Sequence, residues 1–415
     1  MDRRRFLGAA CLAVAGAALP ARAGEGLQVR LGDGWDEVRA LFDLDPALVH
    51  LGGLLIASHP LPVREAIERH RKGLDRDPVG YVFAWDTKER VRAVEAAAAY
   101  FGTSSRSVAL TDSTTMGLSL LYHGMRLQPG DEVVRTEHDH YATWYSLDLV
   151  AAATGAAVRA VRLYDESAAA VREEELVERI VGAVGQKTRV LALTWVHSSS
   201  GLVLPIGAID AELRRRGLRE GLRLCVDGVH GFGALNAAMG DLGCDFFVAG
   251  CHKWLHGPRG TGVVYAARPE LFEEIAPVIP PFGVKHTEGL FRSPGGFHAF
   301  EHRWALAEAF ELHRSIGKPR IAARITQLAS ELKAGLAEIR RVRLHTPIDP
   351  ALSAGIVSFD VDGVHPAQVV ARLREEHGIV VTRSPYGSRS VRVSPGIMNG
   401  SAEIERLLQA LHALA

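Results

Sequence analysis

Residues 244–262, CDFFVAGCHKWLHGPRGTG, decide the fold. An apolar strand-like run ends at Gly250, and Lys253 follows among His252, Trp254 and His256. Lysine seldom enters such surroundings unless it is paired. Read alone, Lys253 is a surface lysine behind a strand. A second stretch changes that reading. RLCVDGVHG (223–231) ends another strand in Asp227, with His230 one turn on. In an open parallel sheet, ligands bind at the carboxyl ends of the strands, so Asp227 and Lys253 are expected to meet at one rim.

Outward from this pair, strands and helices alternate between about 75 and 315. TKERVRAVEAAAAYFG (87–102) reads as a helix stopped by glycine. SVALT, DEVVRT, AVRAVRL and RVLALTW read as strands, with STTMGLSLLYHGM and YATWYSLDLVAAATG as helices among them. Such alternation predicts an α/β fold with a mostly parallel sheet covered on both faces. From 316 to 415 the texture changes to a smaller α+β domain. It opens with the amphipathic helix IAARITQLASELKAGLAEI and contains the strands GIVSFDV, IVVTR and SVRVS. The Pro/Gly-rich segment 276–303 between the two is long enough to expect a functional loop. Its basic residues Lys285, His286, Arg292, His298 and Arg303 read either as a solvated rim or as recognition of a substrate side chain across a dimer interface.

Composition sets the bounds. Of 415 residues, 47% are hydrophobic and 23% charged, a soluble globular balance. Lys+Arg and Asp+Glu both number 48, so no electrostatic case for nucleic acid arises. No pair among the 18 histidines has metal-ligand spacing. Residues 1–23 read as a signal peptide of the twin-arginine type: Arg3-Arg4-x-Phe6-Leu7, a short apolar run, then Ala21-x-Ala23 before Gly24. The run is too short to span a membrane. Export to the periplasm, already folded, is the expectation, with 24–74 as an N-terminal segment of the mature chain. Cys11 leaves with the peptide; Cys225, Cys244 and Cys251 are expected to be buried and unpaired.

A lysine desolvated beside a carboxylate suits Schiff-base chemistry with an aldehyde. Pyridoxal 5'-phosphate (PLP) needs such a lysine, an anion for its ring nitrogen, a phosphate cradle and a flat neighbour. Asp227 supplies the anion. Ser113, Thr114 and Thr115, in TDSTTMG (111–117) between a strand and a helix, supply a cradle or simply helix caps. His138 supplies the flat partner, with His140 as rival and Asp139 as a candidate helix cap. His230 can bond the ring hydroxyl, and His252 is expected beside the phosphate. The alternative of a plain phosphate- or nucleotide-binding protein lacks a G-x-x-x-x-G-K-[ST] loop.

VDGVH (226–230) with DFFVAGCHKWLHGPRGTGVVY (245–265) resembles the aminotransferase class V family of PLP enzymes, especially its isopenicillin N epimerase-like branch. TEHDHYATW (136–144) is similar to that family's strand-end histidine segment, and SVRVSPGIMNGSAEIERLLQAL (390–411) to its Arg-x-Ser segment. The resemblance implies the PLP-dependent transferase fold type I and a homodimer with sites at the interface. It also implies that Arg392 grips the substrate carboxylate, with Arg383 and Arg389 as neighbours. By the same resemblance the chemistry is at an amino-acid α-carbon, most simply amino-group transfer. Epimerisation, elimination and modification of a siderophore-peptide side chain are its alternatives. Three departures stand out. Residues 379–391 hold no cysteine, which speaks against desulfuration; Ser198 stands where the family often has Asn; and SPGGFH (293–298) replaces the partner's usual Gly-Thr.

Overall fold

The computed structural model describes residues 34–282, 289, 292–386 and 389–414. The expected signal peptide, and Lys285 and His286 of the basic loop, lie outside the described residues. In chain order the strands of the first part are β1 (Val49–His50), β2 (Val108–Thr111), β3 (Glu132–Thr136), β4 (Ala157–Val161), β5 (Thr188–Thr194), β6 (Arg223–Asp227), β7 (Phe246–Gly250) and β8 (Gly262–Ala266). The second part adds β9 (Val342–Leu344), β10 (Val357–Val361), β11 (Ile379–Val380), β12 (Thr382–Arg383) and β13 (Val391–Val393). The first five helices are α1 (Trp35–Ala40), α2 (Leu61–Arg76), α3 (Pro78–Phe101), α4 (Thr114–Gly124) and α5 (Tyr141–Thr154).

The main sheet has seven strands in the order β2-β8-β7-β6-β5-β3-β4. All its pairs are parallel except those of β8, which runs against β2 and β7. The expected mostly parallel α/β sheet is therefore present. Side chains alternate across it: Leu191 and Leu193 of β5 enter one apolar layer, Val190 and Ala192 the other. With both faces covered, the strand must be apolar along its length. Helix α4 lies unusually close to the sheet. A Cβ on Gly117 would stand 2.6 Å from Val248 Cγ1, so glycine brings the start of α4 down toward the end of β7.

The small domain is a four-stranded antiparallel sheet, order β12-β13-β10-β9, packed on three helices. The helix Lys318–Ala337 joins the two cores: Ile321 and Ile325 belong to the large one, Leu328, Leu332 and Leu336 to the small one. The N-terminal segment serves both. β1 pairs in parallel with β11 of the small domain, while Val38, Phe42, Leu54 and Val63 pack into the large core. Residues 51–58 thus form a strap between the domains. Cys225, Cys244 and Cys251 are free and buried. No described helix is long and apolar enough to cross a membrane.

Candidate active site

β6 and β7 are adjacent and parallel, in register from Cys225 opposite Phe246 to Asp227 opposite Val248. Their carboxyl ends reach one rim, which brings Asp227 and Lys253 together. The Asp227 carboxyl is buried, and its Oδ1 accepts the Val229 N–H at 3.2 Å. Burial raises its pKa to about 6, against the opposite pull of that N–H and of Lys253. Burial likewise lowers the Lys253 amine to about 8, although Asp227 pulls it up. Lys253 Nζ stands 3.3 Å from His230 Nε2, and Trp254 Nε1–H donates to His230 Nδ1 at 3.4 Å. Burial holds His230 far below its usual pKa, hence neutral. A neutral imidazole that accepts at Nδ1 carries its proton on Nε2. His230 therefore presents N–H to the Lys253 amine.

Above this pair lies the start of α4. Ser113 caps it, its Oγ accepting the Met116 N–H at 3.1 Å. Thr114 Oγ1 accepts the Gly250 N–H at 2.8 Å, and Thr115 is exposed. A Cβ on Gly250 would stand 2.9 Å from His252 Cε1 and 3.0 Å from Thr114 Oγ1. Glycine is what lets the strand end, the helix start and His252 converge. His252 Nδ1 is buried without a partner. Next in line, Asp112 pairs with Arg303 at 3.0 Å and His298 at 3.4 Å. Arg303 is buried, so for this residue the expectation of a solvated basic rim is corrected.

His138 is engaged by its own neighbours. Its Nε2 faces the backbone N–H groups of Leu163 and Tyr164 at 3.2 and 3.4 Å, and its ring stacks on Tyr164 with centroids 3.7 Å apart. Of the two histidines, it is His140 that feels Lys253 and Arg392, held near pKa 4 by burial and by those two cations. The intervening residue explains the exchange. Asp139 is fully buried, with its carboxylate accepting the N–H of Thr136 at 2.6 Å and of Thr194 at 2.8 Å. It ties the ends of β3 and β5 and turns the two histidines in different directions. The helix cap of α5 is then His140, through Nδ1 and the Ala142 N–H at 3.1 Å, rather than Asp139.

Arg392 reaches the cluster from the small domain. It is buried, whereas Arg383 and Arg389 are exposed. Its Nη1 donates to the Ser198 carbonyl at 3.0 Å and its Nη2 to the Arg383 carbonyl at 2.9 Å; its Nε is buried without a partner. A guanidinium has five N–H donors, so Arg392 is fixed in place with donors to spare. Two features were not anticipated. Tyr386 hydrogen-bonds Ser198 Oγ and packs edge-on against His140. Ser394 holds the strap: its Oγ accepts the Leu54 N–H at 3.0 Å and donates to the Leu51 carbonyl at 3.1 Å. Legible hints existed in the tyrosine of SPYGSRS (384–390) and the Gly-Gly-apolar run of LGGLLIAS (51–58).

The residues fit PLP. A buried carboxyl with one backbone hydrogen bond has acceptor capacity left for a cation. An amine of lowered pKa faces an imidazole N–H. A helix start, two hydroxyls and an unpartnered His252 nitrogen surround a spot that a single Cβ at Gly250 would crowd. The broad cleft of about 800 Å³ between His138, Tyr164, Arg343 and Asp360 is lined by neither Lys253 nor Asp227.

Comparison with known proteins agrees. The sequence profile of the aminotransferase class-V family matches residues 77–407. Isopenicillin N epimerase of Streptomyces clavuligerus is 28% identical over 402 residues, covering 92% of this chain and 98% of that protein. A probable cysteine desulfurase of Xylella fastidiosa is 27% identical over 416 residues, covering 91% and 94%. Among solved structures, a C-DES mutant with glycine covalently linked to its PLP cofactor superposes with a TM-score of 0.80 at 23% identity, covering 90% of this chain and 98% of that one. The apo cysteine desulfurase of Thermococcus onnurineus gives 0.79 at 22% identity, covering 91% and 97%.

Proposed function

The chain belongs to the aminotransferase class-V family, whose cofactor is PLP, and from that premise we propose that it transfers the amino group of an amino-acid substrate. The observation that carries the reading is the Lys253 amine, lowered to about 8 inside one buried cluster with Asp227 and Arg392. When bound, PLP supplies the electron sink that stabilises negative charge at the substrate α-carbon. The chain's residues do the rest. Asp227 would hold the proton on the ring nitrogen. Ser113, Thr114 and His252 would hold the phosphate. His140 would be the ring's flat neighbour. Arg392 clamps the carboxylate with its spare N–H donors. Lys253, with an amine that is neutral in a good fraction of molecules near pH 8, would be the residue that holds the cofactor aldehyde and the base available to the substrate α-proton.

Borohydride reduction and peptide mapping test the link. Cofactor mass is expected on Lys253 and on no peptide of Lys253→Ala; a loaded but unlabelled wild type would overturn the reading. In chain stripped of cofactor, the rate of loading should rise with pH through about 8, because only the deprotonated amine attacks. A single-turnover assay tests the reaction type: amino transfer releases keto acid without a second substrate.

Epimerisation is the second reading. Tyr386 brings a hydroxyl to the Arg392 side of the cluster, where a second proton-transfer group would be needed, and a relative aligned over 98% of its length bears the name of an epimerase. It predicts solvent deuterium at an inverted α-carbon and no keto acid. Against desulfuration, the three cysteines of the described residues are buried and residues 379–391 hold none. We further propose export through the twin-arginine route, supported by residues 1–23 and tested by N-terminal sequencing of secreted protein. A homodimer is proposed too; Phe83 and Phe297, both 86% exposed, flank an apolar groove that such an assembly would cover, and sedimentation tests it.

A further inference from the structure

A cavity of about 300 Å³ lies between the strap, Lys253 and the small domain. Leu55, Ile56, Ala57, Val381 and Met398 give it a hydrocarbon wall, and Lys253 forms part of its lining. Most polar groups there are already engaged. Ser394 Oγ is bonded to the strap, and Asn399 bonds the His50 carbonyl at 3.1 Å and the Gly396 N–H at 2.8 Å. Among the fully buried side-chain atoms of the lining, the exceptions are His50 Nε2 and His256 Nδ1. Among the lining residues Lys253 is the one lysine, and no arginine or carboxylate joins it. The cavity also adjoins the carboxylate clamp, because Ser394 in its wall follows Arg392 by two residues along the extended chain and so shares its face.

We propose that this cavity receives the substrate side chain, and that the substrates are amino acids with apolar side chains. The proposal rests on the assignment of Lys253 and Arg392 above. At about 30 Å³ of liquid per water, the space corresponds to about ten waters. An apolar group that displaces them tightens binding by about fourfold for each buried methylene. With Lys253 committed to the cofactor, a carboxylate or ammonium tip would lose its water and find no other charged side chain on the wall. The strap makes the cavity: Ala57 N–H bonds the His252 carbonyl at 3.0 Å, and Leu54 is tied to Ser394, so Leu55 and Ile56 are held between two anchors.

The test uses loaded protein and ligands that cannot react. Butanoate, pentanoate and hexanoate, with succinate and glutarate as charged-tip controls, are titrated by calorimetry. Affinity is expected to rise by about fourfold per methylene through the series, with a negative heat-capacity change. The dicarboxylates should bind more weakly than monocarboxylates of equal length. Gly53 lines the cavity and a Cβ there meets nothing within 4 Å, so Gly53→Phe is the variant chosen to fill the space. It should erase the length dependence while leaving borohydride labelling of Lys253 intact. Affinity independent of length in the wild type, or tighter binding of the dicarboxylates, overturns the pocket. Loss of labelling in the wild type strikes instead at the assignment of Lys253, so the two failures are distinguishable.

Discussion

The two walls of the site are built in opposite ways. The large-domain wall comes from neighbouring strands: Asp227 ends β6, Lys253 follows β7, and the two lie 26 positions apart, with His230 between them. The small-domain wall is assembled from afar. Arg392 bonds Ser198 across 194 positions, and Ser394 holds Leu54 across 340. Local register sets the first wall; domain packing sets the second. Chemistry at the cofactor should therefore depend on the first wall, and the choice and affinity of substrate on the second.

The sharpest way to break this division is Asp227→Ala. On the proposed function, removing the buried carboxyl would take away the charge that keeps the ring nitrogen protonated. We expect kcat to fall by about a hundred- to a thousandfold, as when one preorganised electrostatic partner is lost, together with weaker cofactor retention. Arg392→Ala should behave differently. Loss of a charge-assisted clamp costs about 1.5–3 kcal/mol, so KM for carboxylate substrates should rise by about ten- to a hundredfold while the visible absorbance of bound PLP stays. Steady-state kinetics beside cofactor spectra measure both. If the two variants lose cofactor equally, the walls are not functionally distinct.

The pair His138 and His140 shows where sequence stops being enough. Both follow β3, and both are aromatic and able to accept a hydrogen bond. Only the tertiary placement of Asp139 separates them, because its partner Thr194 lies on another strand. The α/β class, the Asp227–Lys253 rim and the helix start at Ser113 were legible, since each rests on local periodicity or strand order. Arg392 was reached by resemblance alone, since nothing local distinguishes it from Arg383 or Arg389. Tyr386 and the strap were missed because their partners lie in the other domain. A matched pair of variants sharpens this point. His140→Asn keeps a capping side chain for α5 but removes the ring, and should weaken PLP binding by about three- to tenfold, the scale of one aromatic contact. His138→Asn should leave PLP binding within about twofold. Titration of cofactor into stripped protein measures both; the reverse order would restore His138 as the ring's neighbour.

The smallest effect should come from Ser394→Ala, which touches neither cofactor nor carboxylate. The hydroxyl accepts the Leu54 N–H and donates to the Leu51 carbonyl, in a place where all three residues are buried. Its loss leaves a buried N–H unsatisfied, at about 1–3 kcal/mol. That penalty need not fall on the whole fold, because the strap can open locally to let the amide reach water. Exchange of the Leu54 amide should then accelerate well before global unfolding, while β6 and β7 amides keep their protection. At the site, KM should rise by about two- to fivefold, with kcat and the PLP spectrum unchanged, because only the substrate side of the cavity has loosened. A fall in kcat with unchanged KM would show that the strap acts on the chemistry, and the division between the walls would have to be redrawn.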